Sequence, residues 1–240
     1  MGKLFEELDY RHTHLGLVSL RRRRELRLNV DVVEILLGDE HLMSDLFTVS
    51  EIALADLGLA AVKGEQLDVV VGGLGLGYTA QAVLKDPRVN SLTVVDALEP
   101  VVDWHKEGLL PMGTELVDDR RCQFRVADFF ELATSTSGFD GKKNERRFDA
   151  VLVDIDHAPD FWLNSSNASF YEVEGLEKLS RHLKPGGVFG LWSNDRPDQS
   201  FLDRLQSVFD KAQAEEVSFY NPLLDKDFIQ TVYLGQTAGG

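Results

Sequence analysis

The chain has 240 residues, 43% of them hydrophobic and 27% charged, enough for one α/β domain with a small addition. Its formal net charge of −15 disfavours general binding to nucleic acid phosphates and weakly favours a cationic small molecule. No apolar run reaches bilayer length, MGKLFEELDY lacks the apolar core of a signal peptide, and the single Cys122 excludes a disulfide framework, so a reducing cytoplasm is expected.

Residues 1–48 read as a small antiparallel β appendage, with β-prone segments at 15–20 and 30–37 broken by Arg-rich and Gly38-Asp39-Glu40 turn chemistry. Arg21, Arg22, Arg23 and Arg24 are expected at a solvated hairpin tip or an oligomer contact. Ser50-Glu51 opens an amphipathic helix with Ile52, Leu54, Ala55, Leu57 and Leu59 as its apolar positions. From residue 67 the pattern alternates: strands at 67–71, 92–95, 124–126, 148–153 and 187–192, and helices at 78–84, 101–109 and 170–182. A helix at 200–212 and strands at 217–220 and 228–234 close the chain, and the polar segment 134–147 reads as a surface insertion. This rhythm predicts a Rossmann-like, doubly wound, mostly parallel sheet over residues 49–240.

The predicted first strand ends in Gly72-Gly73-Leu-Gly75-Leu-Gly77 and runs into a helix. Glycines there permit a tight turn and close backbone approach, and the helix amides that follow suit a polar ligand group. Asp96 ends the next strand 19 residues after Gly77, the interval expected of an acid that accepts ribose hydroxyls. Asp128 ends the third, where it is either a ligand contact or a helix N-cap. All three lie at the carboxyl ends of successive strands, where open α/β sheets bind ligands. The spacing GxGxG rather than GxGxxG fits a nucleoside with a zwitterionic tail better than a dinucleotide.

Asp154, Asp156, His157 and Asp160 cluster after the fourth strand. No further ligands with metal spacing join them, so no metal is assigned. His157 reads as a polar wall of an acceptor pocket, a second proton acceptor or a structural histidine. Phe161 and Trp162 are expected as a lid or as sheet-edge packing, Asn194 and Asp195 as acceptor contacts or turn residues, and His12 and His14 carry no role. The lack of a Gly-x-Ser-x-Gly elbow sets a serine hydrolase aside.

Gly72-Gly-Leu-Gly-Leu-Gly77, Val-Val-Asp96, Ala-Asp128-Phe-Phe-Glu-Leu, Leu-Val-Asp154-Ile-Asp-His-Ala-Pro159 and Leu183-Lys-Pro-Gly-Gly187 together resemble the spermidine synthase family. That family has the class I S-adenosylmethionine-dependent methyltransferase fold, and the resemblance spans roughly residues 10–234. It implies that Gly73, Gly75 and Gly77 form the nucleoside turn, that Asp96 holds the ribose and that Asp128 receives the adenine amino group. Ala127 and Phe129 would flank the base, and Asp154 would take a proton from an attacking amine. The family often pairs as a homodimer through its N-terminal part.

Three departures touch polyamine handling. The family's turn carries an aspartate, a contact for the donor's free amine, where this chain has Gly75. His157 stands at the motif's second aspartate, beside Asp156, and Val49-Ser50 replaces a Tyr-Gln or Tyr-His pair. Loss of the turn carboxylate is expected to leave room for the carboxylate of intact S-adenosylmethionine. The leading expectation is therefore methyl transfer to a small acceptor with Asp154 as base. The alternatives are aminopropyl transfer from decarboxylated S-adenosylmethionine to a polyamine-like amine, and nucleoside binding without catalysis.

Overall fold

The computed structural model describes residues 4–140 and 146–239. Strands β1 (Phe5–Thr13), β2 (Gly16–Glu25), β3 (Val30–Leu37) and β4 (Glu40–Ser44) form a four-stranded antiparallel meander. Arg21, Arg22, Arg23 and Arg24 lie inside β2 and not at a hairpin tip; acids neutralise the last three, and Arg21 lies over the Phe5 ring. Arg22 faces Glu6, Arg23 pairs with Glu34 and Glu25, and Arg24 pairs with Asp31.

Helix α1 (Val49–Ala61) leads into β5 (Leu67–Gly72), α2 (Tyr78–Lys85), β6 (Val89–Asp96) and α3 (Glu99–Lys106). There follow α4 (Gly113–Asp118), which the sequence pattern did not reveal, β7 (Cys122–Val126), α5 (Phe129–Thr134), β8 (Phe148–Val153) and α6 (Val173–Ser180). The chain ends with β9 (Leu183–Ser193), α7 (Gln199–Val208), β10 (Lys211–Asn221) and β11 (Lys226–Gln236). Their sheet has the order β10-β11-β9-β8-β5-β6-β7, parallel from β9 to β7, with β11 and β10 antiparallel at one edge. The fold is thus a mixed α/β architecture with a mostly parallel central sheet and an N-terminal antiparallel sheet.

The run Leu67-Asp-Val-Val-Val is central and buried on both faces, as a strand in a parallel sheet must be. Alternation sends Val69 and Val71 into a core shared with α1, α2 and α3, and Val70 into an aromatic core. The second core holds Phe129, Phe139, Phe148, Phe170, Tyr171, Phe189 and Phe201. Segment 134–147 is accordingly not wholly a surface insertion: Phe139 is buried against Phe129 and Phe148, while residues 141–145 lie outside the described residues. The helix expected over 170–182 is split. A 3-10 turn (Ser165–Tyr171) breaks at Glu172, whose extended backbone precedes α6. Among the described residues no helix is long and apolar enough to cross a membrane.

Candidate active site

From β5 the chain winds outward through β6 and β7, then returns to lay β8 on the opposite side of β5. This is the switch point at which the loops leaving β5 and β8 diverge and open a crevice. A cleft of about 240 Å³ lies there, roofed by Ile35, Leu37, Leu42 and Met43 of the N-terminal sheet and by His14 and Leu15 from the β1–β2 turn. Gly73 and Gly75 line it, both at positive φ. A Cβ on Gly73 would strike the Asp154 carbonyl, so glycine lets the two strand ends approach.

Gly75 departs from expectation. The place of its missing Cβ is taken by the thioether of Met43, whose Sδ also lies 2.9 Å from the Leu76 amide. The lost carboxylate therefore leaves no room for another; an apolar side chain from β4 fills it. Gly77 does not border the cleft. It precedes α2 and packs against Leu116, His105 and Met112, a helix-packing glycine and not a ligand contact. His105 Nε2 sits 2.9 Å from the Gly75 carbonyl and ties the turn to α3. Burial pulls that imidazole down to about 4, so it is neutral near pH 7 and donates this bond.

Asp96 borders the cleft and also builds it. Its Oδ2 accepts from the Leu74 amide and its Oδ1 from the Leu98 amide, both at 2.8 Å, joining the glycine turn to the start of α3. Burial raises its carboxyl above the ordinary range against these donors. Asp128 is the N-cap of α5, its Oδ1 accepting from the Phe130 and Glu131 amides, and the residue borders the cleft. Ala127 lies instead on a neighbouring shallow cleft that it shares with Asp128 and Arg11. Phe129 is only 2% exposed, with its ring under Gly72 and stacked on Phe139, so it supports the floor more than it flanks a ligand.

Asp154 lies at the end of β8 and lines the cleft. Its backbone amide continues the sheet to the Gly72 carbonyl, and Thr79 Oγ1 donates to Oδ2 at 2.7 Å. Next to it stands Glu51, from the first turn of α1, 8% exposed, its carbonyl 3.3 Å from the same Thr79 Oγ1. Burial lifts both carboxyls, toward about 6 for Asp154 and about 7 for Glu51, and the like charge of Asp154 adds to the rise at Glu51. Beside Glu51 Oε2, at 2.8 Å, is Ser50 Oγ, which accepts from Trp192 Nε1 at 2.8 Å and lies 2.6 Å from Gln230 Oε1.

His157 lines the cleft, with Nε2 at 3.0 Å from Glu40 Oε1 and its ring stacked on Phe161. It thereby ties the loop after β8 to the N-terminal sheet. Phe161 is 57% exposed at this rim, neither packed on the sheet edge nor closed over the cleft. Asp156 points away: buried, it accepts from Leu163 N, Asn167 Nδ2 and Tyr171 Oη. It orders the loop and does not replace the acid lost at position 157. Asn194 likewise takes a structural place, its amide bonded to the His157 carbonyl and its Oδ1 to Gln230 Nε2.

Sequence reasoning missed Glu51, Thr79, Met43 and His14. Glu51 carried one signal, a carboxylate in the first turn of a mostly apolar helix; the other three reach the cleft only through tertiary packing. Among the described residues the lining holds four carboxyl groups, of Glu51, Asp96, Asp128 and Asp154, and no lysine or arginine.

The family model described as "Spermine/spermidine synthase domain" matches residues 47–220. A polyamine aminopropyltransferase of Saccharolobus islandicus (strain L.S.2.15 / Lassen #1) is 26% identical over 185 residues, covering 77% of this chain and 56% of that protein. One of Bacillus mycoides is 30% identical over 122 residues, covering 50% and 38%. The chain thus spans about half the length of the curated relatives it matches, or less. The crystal structure of spermidine synthase from Thermotoga maritima superposes with a TM-score of 0.72 at 16% identity, covering 98% of this chain and 73% of that one. A spermidine synthase in complex with the transition state analogue AdoDATO gives 0.73 at 15%, covering 98% and 74%.

Proposed function

The chain belongs to the spermine/spermidine synthase family, and from that premise we propose that it is a transferase moving an aminopropyl group from decarboxylated S-adenosylmethionine to an amine. One observation carries the choice of donor: among the described residues the cleft is lined by four carboxyl groups and no lysine or arginine. Intact S-adenosylmethionine would bring its own carboxylate into this field without a lysine or arginine to receive it, which in a low-dielectric cleft is costly. The decarboxylated nucleoside carries positive charge at both sulfonium and ammonium and meets only partners. The Met43 thioether at the Gly75 turn removes one support of the rival reading, since the place behind that glycine is filled. The relatives named polyamine aminopropyltransferases support the reading, and the expectation of methyl transfer has no comparable support.

In this reading the amine arrives as an ammonium drawn by Asp154, with Glu51 beside it. Asp154, held by Thr79, takes one proton and frees the nitrogen lone pair. The lone pair forms a bond to the sulfonium-bound methylene as the carbon–sulfur bond breaks. That electron pair returns to sulfur, leaving a neutral thioether and a secondary ammonium. Alignment of the two substrates in the crevice supplies most of the acceleration. Asp96 and the turn hold the nucleoside, and His157 with Phe161 forms the rim on the acceptor side. A reducing cytoplasmic setting and pairing through the N-terminal sheet belong to the same proposal.

Calorimetry with the two nucleosides tests the choice. The decarboxylated form should bind at least about tenfold tighter, a difference of about 1.4 kcal/mol; tighter binding of intact S-adenosylmethionine would reverse the assignment.

A further inference from the structure

Ser50 Oγ has three close partners and only one hydrogen to give. Trp192 Nε1 is solely a donor, so at 2.8 Å it occupies one hydroxyl lone pair. Gln230 Oε1, at 2.6 Å, is an acceptor and takes the hydroxyl hydrogen. The Gln230 amide is oriented by its Nε2, which donates to Asn194 Oδ1 at 2.9 Å. Glu51 Oε2, 2.8 Å from Ser50 Oγ, then faces the remaining lone pair. A carboxylate oxygen there would set lone pair against lone pair; a carboxylic acid would donate to it. Ser50 is 1% exposed, so no solvent relieves the count. Thr79 Oγ1 lies 2.7 Å from Asp154 Oδ2 and 3.3 Å from the Glu51 carbonyl; its hydrogen goes to the nearer oxygen, the arrangement of an ionised acceptor. The two carboxyls of one cleft are thus held in opposite protonation states.

We propose that Glu51 is a second proton-handling residue of this site, resting as the neutral acid beside ionised Asp154 and yielding its proton to solvent when the ammonium of an acceptor enters. This rests on the amine-acceptor reading above. The elements packed on α1 place few competing groups around Glu51. α2 brings Tyr78 and Thr79, the end of β8 brings Asp154, β9 brings Trp192 and β11 brings Gln230. Among the described residues Asp154 is the one charged group acting on Glu51, and it opposes ionisation. Tyr78 stays a neutral phenol, its own ionisation pushed higher by burial, Asp45 and Glu51.

An empty cleft therefore carries one negative charge on the pair, which avoids two unpaired carboxylates in a buried space. An entering ammonium reverses the balance. The Glu51 O–H bond breaks, its proton leaves to buffer, the Ser50 hydrogen turns toward the new carboxylate, and the Gln230 and Asn194 amides turn over so that Gln230 Nε2 donates to Ser50 Oγ. The cation then lies between two carboxylates, and Asp154 remains free to take the proton that the transfer requires.

The test uses the full chain with glutamate side-chain carboxyls labelled with carbon-13. Glu51 is assigned by loss of its resonance in Glu51→Gln, whose amide can donate to Ser50 as the acid does. The wild-type resonance should titrate with a midpoint about 2 units above an ordinary glutamate. With 5′-methylthioadenosine present to occupy the nucleoside position without turnover, adding 1,4-diaminobutane at pH 6 should move it to the ionised position. Calorimetry in two buffers of different ionisation enthalpy should record release of about one proton per amine bound, absent in Glu51→Gln. A Glu51 already ionised at pH 6 in the free protein, with the Gln230 and Asn194 amides reversed, would overturn the proposal. So would amine binding that leaves the resonance unmoved, in which case the amine reading itself survives. No binding of the diamine, with Glu51 still neutral in the free protein, would remove the amine reading and this proposal with it.

Discussion

Thr79 Oγ1 donates to Asp154 Oδ2 across 2.7 Å, joining the first turn of α2 to the end of β8, 75 residues later in the chain. The bond lowers the carboxyl that burial raises, so the hydroxyl keeps Asp154 ionised near neutral pH. Thr79→Val should move the acid limb of the kcat/KM profile upward by roughly 0.5–1 pH unit and reduce activity at pH 6.5 by about 3–10-fold. Thr79→Ser should restore most of it. A profile unmoved by Thr79→Val would mean that the hydroxyl does not tune Asp154.

Removing the base itself should separate binding from chemistry. Asp154→Asn is expected to cost roughly 10²–10⁴-fold in kcat, with nucleoside affinity changed by less than about threefold. Single-turnover rates with parallel nucleoside titrations measure both. Equal losses in affinity and rate would place Asp154 among the binding groups.

Asp96 has a double duty, since its two oxygens satisfy the Leu74 and Leu98 amides. Asp96→Ala should weaken nucleoside binding several-fold or more and lower stability by about 2–4 kcal/mol, the cost of leaving two part-buried donors unpaired. Denaturant unfolding beside nucleoside titration reports the two effects. A loss of affinity without loss of stability would deny Asp96 its place in building the turn.

The pH dependence of stability has a definite sign at Glu51. Its folded-state carboxyl titrates near 7, above the unfolded value, so the unfolded chain gives up this proton first as pH rises. Stability from this group is full below the unfolded pKa of about 4.5 and is lost as pH rises toward 7. Glu51→Gln removes that loss. The stability of Glu51→Gln relative to wild type should therefore grow by about 1–3 kcal/mol between pH 4.5 and 7.5. Buried His105 has the opposite trend, losing stability as pH falls from 6.5 toward 4, but it is common to both proteins and cancels in the difference. A pH-independent difference would contradict the raised carboxyl.

The Gly75 turn can be challenged by restoring the family's acid. Gly75→Asp alone must displace the Met43 thioether at a positive-φ position and should destabilise by about 1–3 kcal/mol. Combined with Met43→Ala it should recover part of that stability and tighten binding of decarboxylated S-adenosylmethionine. Thermal unfolding and calorimetry of the single and double variants decide whether Met43 occupies the vacated place.

The parallel sheet was legible because its signals are local: buried runs such as 67–71, glycines at the turn, and an acid at each of three strand ends. The same locality let Asp96, Asp128 and Asp154 be placed at one crevice. Position in sequence did not say what their lone pairs already do, and so could not show that Asp96 holds two backbone amides or that Asp156 is spent on Tyr171. Gly77 matched a motif by spacing, yet its side faces Leu116 and His105, a contact set by packing of α2 on α3 and α4. The arginines of β2 misled because their neutralising acids lie on other strands. Met43, Glu51 and His14 belong to segments far from the glycine turn and reach the cleft only when the N-terminal sheet and α1 close over it. The reading of Gly75 failed for that reason: the space behind a glycine is defined by what folds against it.

Turnover with 1,4-diaminobutane and each of the two nucleosides, followed by mass spectrometry of the amine, tests the central claim most directly. The account predicts an amine enlarged by one aminopropyl group with decarboxylated S-adenosylmethionine, and no product with the intact nucleoside. A methylated amine from intact S-adenosylmethionine, with no aminopropyl product from the decarboxylated form, would contradict it.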